Sequence, residues 1–312
     1  MIVILTALPV EHHAVLERLT DATVHKNDVG TLFEVGSLAS FPKCQVALGT
    51  TGPGALDAAA LATRAQAEFS PAAMLFVGIA GGLRDWLAIG DVVVATKIHA
   101  YHGGRSEDDE FLARPRSWQL PHAVEQIARR LPRGEAWRAL LPELGPGDGP
   151  SVHFEAVAAG DVLLNSKVSP TAQRLRRNYN DAVAIEMESS GFALAGHLSG
   201  GVATATIRAI SDHADGTKGV TDSKGSQDIA ARNAAAFAVL LAAAVDDGKN
   251  KDGKGDGTPA GTPPNTQPPL PVSIQNTNTA QSGARVDQQI GVNFEAFHAA
   301  WTVGAGERGE KK

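Results

Sequence analysis

The stretch VAIEMESSGFALAGHLSGGVATATIRAISDHADGTK (residues 183–218) reads as strand, helix, strand. Both of its apolar runs end in acids. Glu186 and Glu188 bracket Met187 after the first run, and Asp212 and Asp215 follow the second, behind Arg208. Carboxylates are costly to bury unless they are paired or put to use. In α/β sheets ligands bind beyond the carboxyl ends of the strands. The stretch therefore predicts an α/β fold whose sheet carries a site at one edge.

Working outward, strand and helix patterns alternate up to about residue 246. IVILTAL is a β-rich run, and VEHHAVLERL continues at helical spacing through Val10, Ala14 and Leu19. CQVALG leads into TTGPGALDAAALATRAQAEF, a glycine turn opening an Ala-rich helix. AAMLFVGIAGGL reads as a strand followed by a glycine loop, and GDVVVATKIHAY as the next strand. PHAVEQIARRL, EAWRALL and TAQRLRRNY read as helices, SVHFEAVAAG as a strand, and DIAARNAAAFAVLLAAAV as a closing amphipathic helix. The predicted fold class is α/β: one domain, residues 1–246, with a twisted mixed sheet flanked by helices. Residues 247–271, rich in Gly, Pro, Lys and Asp, read as a disordered linker. Residues 272–312 read as a tail too short to hold its own core.

Composition narrows the setting. The chain has 312 residues, with 28 basic and 34 acidic ones well mixed and a formal net charge of −6. No basic block of the kind that tracks nucleic acid is present, so no nucleic-acid partner is expected. The single cysteine, Cys44, excludes an internal disulfide and fits a reducing compartment. The apolar start meets Glu11 too early for a signal peptide, and no apolar run approaches the ~20 residues that span a bilayer. A cytoplasmic protein without a membrane partner is the expectation.

By the strand-end rule, TALPVE, GTTGPG, FVGIAGGL, AIEMES and RAISDHAD converge on one face. GIAGG lacks the spacing and the distal acid of a dinucleotide fingerprint, and GTTGPG lacks the lysine of a P-loop. Each acid has an ordinary explanation. Glu11 and Glu188 favour helix N-termini, and Asp212 can cap a turn. Three acids and Arg208 gathered at the strand ends of one sheet edge are harder to explain that way.

AIEMES followed some twenty residues later by RAISDHAD, with VGIAGGL and GDVVVA upstream, resembles the purine nucleoside phosphorylase and nucleosidase superfamily over residues 1–246. The early ALPVE resembles its 5'-methylthioadenosine/S-adenosylhomocysteine nucleosidase branch. The resemblance implies cleavage of a purine N-glycosidic bond without metal or organic cofactor. It implies that Asp212, protonated, donates to purine N7, and that Glu11 accepts a proton from, or orients, the attacking water. Glu188 would hold the ribose hydroxyls, with Met187 packed on the sugar and Arg208 holding the water site and balancing the acids. Gly78, Ile79, Val162, Leu163 and Tyr101 complete the implied substrate site, and a homodimer is the implied assembly. Phosphorylases of the superfamily hold phosphate with arginines near the N-terminal loop. Here the first arginine is Arg18, well past it, and Glu11 would repel an anionic nucleophile, so hydrolysis is expected over phosphorolysis. A phosphorylase, or an idle nucleotide-binding signalling module, is the alternative.

Some features depart from that pattern. Ile79 stands where a serine is expected, Leu163 replaces an aromatic against the base, and Tyr101 and His102 resemble a Tyr-His pair. Residues 103–131 resemble nucleosidase-like effector domains of signalling and immune-type proteins. Their Arg105, Arg114 and Arg116 suit either a nucleotide's phosphates or a solvated face. The tail segment 272–294 resembles amyloid-type signalling motifs, mixing Asn and Gln with alternate apolar residues.

Overall fold

A computed structural model of the chain describes residues 1–134, 136–141, 149–216, 219, 222, 225–252, 291–293 and 302–304. Within the first unit, Met1–Gly255, the elements run β1 (Ile2–Thr6), α1 (Pro9–Leu16), β2 (Leu19–Lys26), β3 (Leu32–Leu38), β4 (Phe41–Thr50) and α2 (Ala55–Phe69). They continue as β5 (Ala73–Gly82), β6 (Val92–Ala100), β7 (Gly104–Ser106), β8 (Phe111–Ala113), β9 (Arg116–Gln119) and α3 (His122–Ala128). The last are β10 (Val152–Ala159), α4 (Pro170–Asn178), β11 (Ala182–Glu186), α5 (Ser189–Leu198), β12 (Ala203–Asp212) and α6 (Ser226–Asp252).

One mixed sheet carries the site, in the order β11-β10-β6-β12-β5-β1-β4-β3-β2, with β9 added to β6. The central strands β12, β5, β1 and β4 are parallel, so their carboxyl ends lie together. All five residues of β1 are buried, as expected of a strand covered on both faces. Residues Gly81 and Gly82, read from sequence as loop, instead prolong β5 and pair antiparallel with β11. Without side chains they let the strand bend, and the sheet curls until β11 meets β5. This brings the end of β11 beside the ends of β5 and β12.

Two helical layers close the core. Helix α6 packs with α1 and α3 on one face, and Phe237 and Leu241 are wholly buried there. On the other face α2 and α5 cover Val3, Leu5 and Phe76. Gly191 of α5 is obligatory, because a Cβ there would overlap the Ala55 carbonyl of α2. By length and composition Ser226–Asp247 is apolar enough to cross a membrane, contrary to the sequence reading. The sequence read this segment as the closing helix, and 78% of its most apolar 18-residue stretch is buried inside the domain, as in a core helix.

Other boundaries also differ. Helix α1 stops at Leu16, and Leu19 opens β2, whose mostly exposed residues carry no apolar alternation. Of EAWRALL, the described residues 136–141 form only a 3-10 turn at Arg138–Leu140. Helix α6 runs past residue 246 to Asp252. Of the second unit, Asp256–Lys312, the described part is an antiparallel pair, β13 (Gly291–Asn293) with β14 (Thr302–Gly304). The linker reading for 253–271 and most of the strand-stacking segment 272–294 lie outside the described residues.

Candidate active site

The five loops do converge. A cavity of about 270 Å3 is lined by Leu8 and Glu11 from the first, Pro53 from the second and Ile79–Gly81 from the third. Ile185–Glu188 and Ser211–Asp212 supply the fourth and fifth, and Val162–Leu164 and Gln227 complete the wall. The volume lies close to the lower end of the ~300–1,000 Å3 typical of small-molecule sites.

Glu11 sits in the first turn of α1, which Pro9 opens. Its Oε2 accepts hydrogen bonds from the Ala7 and Leu8 N–H groups, each at 2.8 Å, and Oε1 accepts from Ile79 N–H at 2.8 Å. The helix-end explanation is thus correct, and it does not exhaust the residue. Two donors fill Oε2, while Oε1 keeps a lone pair for a further donor. Burial pushes the Glu11 carboxyl above its ordinary value, against the pull of Arg208 and of the Ile79, Leu8 and Ala7 N–H groups.

Arg208 is a correction to the sequence reading. It is wholly buried and does not line the cavity, so it cannot itself hold a water there. Its Nη2 donates to Glu186 and, at 3.0 Å, to Glu188 Oε2, while Nη1 lies 3.8 Å from Glu11 Oε1. Phe76 packs beneath the guanidinium, 4.8 Å from its ring centre. Burial disfavours the cation, but the carboxylates of Glu186, Glu188 and Glu11 together raise its pKa further. One cation knits three acids, Glu11 of α1 with Glu186 and Glu188 at the end of β11.

Gly78 does not line the cavity either, and the reason is steric. A Cβ there would collide with Arg208 Nη1 and Glu11 Oε1, so glycine makes room for that pair. Tyr101 is also displaced from its expected place. It is fully buried against Gly160, where a Cβ would meet its ring, and its hydroxyl donates to the Val162 carbonyl at 3.3 Å. It braces the Val162–Leu163 wall from behind.

Glu188 lines the cavity and accepts from Gly54 N–H at the start of α2, at 3.1 Å. Gly52 and Gly54 both have positive φ (78° and 112°), which this turn into α2 requires. Asp212, at the end of β12, accepts from Ser211 Oγ at 3.0 Å and from Ala214 N–H at 2.9 Å. It is buried, as expected of a strand-end acid. Sequence reasoning gave no role to Glu186, whose oxygens accept from the N–H groups of Glu188 and Ser189, from Ser189 Oγ and from Arg208. Burial pushes Glu186 up to about 6, Arg208 opposing and Glu188 adding to the rise. Ser211, Pro53, Ile185 and Gln227 are further lining residues that carried no sequence signal of their own. Arg105, Arg114 and Arg116 are exposed and do not line the cavity; Arg105 pairs with Glu107 and Arg116 lies over Trp118. Among the described residues no group of three or more His, Cys, Asp or Glu is placed to hold a metal ion.

A curled mixed sheet with helices on both faces and acids at its strand ends defines a nucleoside phosphorylase-like α/β protein. A model of the phosphorylase superfamily matches residues 1–246, and the chain belongs to that superfamily. ATP nucleosidase Cap17 of Escherichia coli is 28% identical over 240 residues, covering 70% of this chain and 46% of that protein. The chain therefore spans about half the length of that relative. The 5'-methylthioadenosine/S-adenosylhomocysteine nucleosidase of Maridesulfovibrio salexigens is 30% identical over 178 residues, covering 56% of this chain and 72% of the relative. Among solved structures, the corresponding nucleosidase of Colwellia psychrerythraea in complex with adenine has a TM-score of 0.65 at 20% identity, covering 78% of this chain and 95% of that one. That of Neisseria meningitidis in complex with methylthio-immucillin-A has a TM-score of 0.62 at 21% identity, covering 79% and 98%. These likenesses establish the fold.

Proposed function

We propose that residues 1–246 hydrolyse the N-glycosidic bond of a purine nucleoside or nucleotide. The observation that carries this reading is that two buried acids from different loops, Glu11 and Asp212, line one cavity. Glu11 keeps an open lone pair, and Asp212 is held by Ser211 and Ala214. Asp212 donates its proton to N7 as the C1'–N9 bond breaks, and the sugar passes through an oxocarbenium-like state. Glu11 Oε1 accepts a proton from water as the remaining hydroxide bonds to C1'. The free base and the sugar, with any 5' substituent, leave, one water is consumed, and the proton on Glu11 returns through solvent to Asp212. Glu188 accepts hydrogen bonds from the ribose hydroxyls and Met187 packs on the sugar. Val162, Leu163 and Ile79, which line the same cavity, form its aliphatic wall for the base. Arg208 is a positioning residue: it keeps Glu11 and Glu188 in place without touching substrate. Gly78 leaves room for the Glu11–Arg208 pair, and Tyr101 braces the Val162–Leu163 wall from behind.

The names of the relatives support a methylthioadenosine- or adenosylhomocysteine-like nucleoside, or an adenine nucleotide, as substrate. Incubating the full chain with methylthioadenosine, adenosylhomocysteine, adenosine and ATP, with and without phosphate, tests the reading by chromatography of free adenine. No base from any of them contradicts it; base only with phosphate makes the protein a phosphorylase.

In this reading the domain serves as an effector in a signalling or immune-type system, in the cytoplasm, with segment 272–294 as an assembly motif. The Asn/Gln-rich alternation of that segment supports the tail's role. A 272–300 peptide that forms thioflavin-positive fibrils, abolished by Ile290→Pro, is the expected result; a peptide that stays monomeric when seeded opposes it. A homodimer is supported by apolar surface near the cavity mouth. Leu56 is 84% exposed, and the adjoining Ala55 N–H donates to Asp161, next to the exposed Val162 and Leu163. Sedimentation of the purified chain as a monomer would remove this element.

A further inference from the structure

A second cavity of about 280 Å3 backs onto the first, sharing Leu164 as a common wall. Its character differs. Arg84, Lys167, Arg176 and His213 line it, and Asp85 is its single carboxylate, held by Lys167 at 2.7 Å. Three permanent cations against one anion leave it positive. Arg84 and Arg176 each commit a terminal nitrogen to a carbonyl, of Asn180 and Lys167 respectively, and keep other donors free. The floor is apolar, made by Leu83, Leu164 and Leu175.

Tyr179 gives this cavity a specific polar requirement. The residue lines the cavity and is 2% exposed, and its buried hydroxyl has no hydrogen-bond partner among the described residues. Buried hydroxyls are normally satisfied, and an unpartnered one on a residue that lines a cavity is free to donate to a ligand bound there.

The turn after β12 divides the two cavities. Asp212 faces the first, whereas His213 and Ala214 line the second. Ala214 adopts a left-handed conformation (φ 49°) that a non-glycine residue rarely takes, and its N–H holds Asp212 Oδ1. A body lodged against Ala214 thus bears on the backbone that positions Asp212.

We propose that the second cavity binds a phosphate-bearing small molecule. Its anion sits on Arg84, Lys167 and Arg176 and its body on the leucine floor, with Tyr179 donating to it, and its occupancy couples through Ala214 to the Asp212 cavity. The importance of that coupling for catalysis rests on the hydrolase reading; the binding site does not. Calorimetric titration of the full chain with inorganic pyrophosphate and with ribose 5-phosphate tests the site, and the stronger of the two reports whether an inorganic or an organic phosphate is preferred. Both probes should bind wild type, Lys167→Ala should weaken them roughly tenfold, and Tyr179→Phe about fivefold, the usual scale for one hydrogen bond to a charged or neutral partner. Tyr179→Phe removes no internal bond, so its Tm should not fall. Absence of binding at millimolar probe, or equal affinity for wild type and both variants, overturns the site. The coupling is read from adenine affinity in the first cavity with and without saturating probe, since linkage is reciprocal. An unchanged adenine Kd overturns it. Failure of base release with intact probe binding would count against the hydrolase reading alone.

Discussion

Replacing Glu186 by Gln separates two forces that act on the same buried carboxyl. Arg208 and the surrounding donors favour the anion, whereas burial and Glu188 favour the acid, and the balance lifts Glu186 from 4.5 to about 6. The folded chain then holds a proton that the unfolded chain has already lost between these values. The contribution is fully present below pH 4.5 and is lost as pH rises through about 6. A shift of that size corresponds to about 2 kcal/mol, and Gln mimics the protonated acid at every pH. Wild type should therefore lose about 2 kcal/mol relative to Glu186→Gln between pH 4.5 and pH 7, or roughly 4–8 °C in Tm for a domain of this size. Glu11, raised by burial in the same direction, is present in both proteins and cancels. Thermal unfolding of both at several pH values in this window measures the difference. If wild type instead gains on the variant as pH rises, the Arg208 pairing outweighs burial and the reasoning fails.

Other consequences are equally specific. Glu11→Gln must turn an amide N–H₂ toward backbone donors on one side or the other, and base release should fall by about 10²–10⁴-fold, the usual scale for a lost general base. Because burial raises Glu11, the acid limb of kcat/KM in wild type should lie above pH 4.5, with activity rising as the carboxyl ionises; a limb at or below 4.5 would contradict this. Gly78→Ala drives a methyl into the Glu11–Arg208 pair. It should cost about 1–3 kcal/mol by denaturant unfolding and roughly 100-fold in kcat, and a fully active variant would refute the packing argument. Asp212→Asn should retain the fold, as judged by an unchanged Tm within a few degrees, while base release falls to near background.

Much of the site was readable because strand-end acids are expensive and few. TALPVE, GTTGPG, FVGIAGGL, AIEMES and RAISDHAD do meet at one cavity, since parallel neighbours β12, β5, β1 and β4 align their carboxyl ends and the β5–β11 pairing brings the end of β11 beside them. What escaped was direction and depth. Glu186 and Glu188 lie two residues apart on one strand end, and both reach Arg208, so spacing alone could not say which one was committed to structure. Arg208 reads as a site residue by position, yet its burial follows from contacts with elements far apart in sequence. The β2–β3 hairpin was missed because β2 is mostly exposed and lacks an apolar alternation. Gly81 and Gly82 read as loop because glycine is rare in strands, but this bend needs them.

The central claim is that water, not phosphate, attacks C1' in the cavity of Glu11 and Asp212. Turnover of a competent purine substrate in phosphate-free ¹⁸O-water, followed by mass spectrometry of the released sugar, tests it directly. The account predicts one ¹⁸O at C1 of the free sugar in every turnover, lost together with base release in Glu11→Gln. A sugar released only as its 1-phosphate, or no base release without added phosphate, would contradict it.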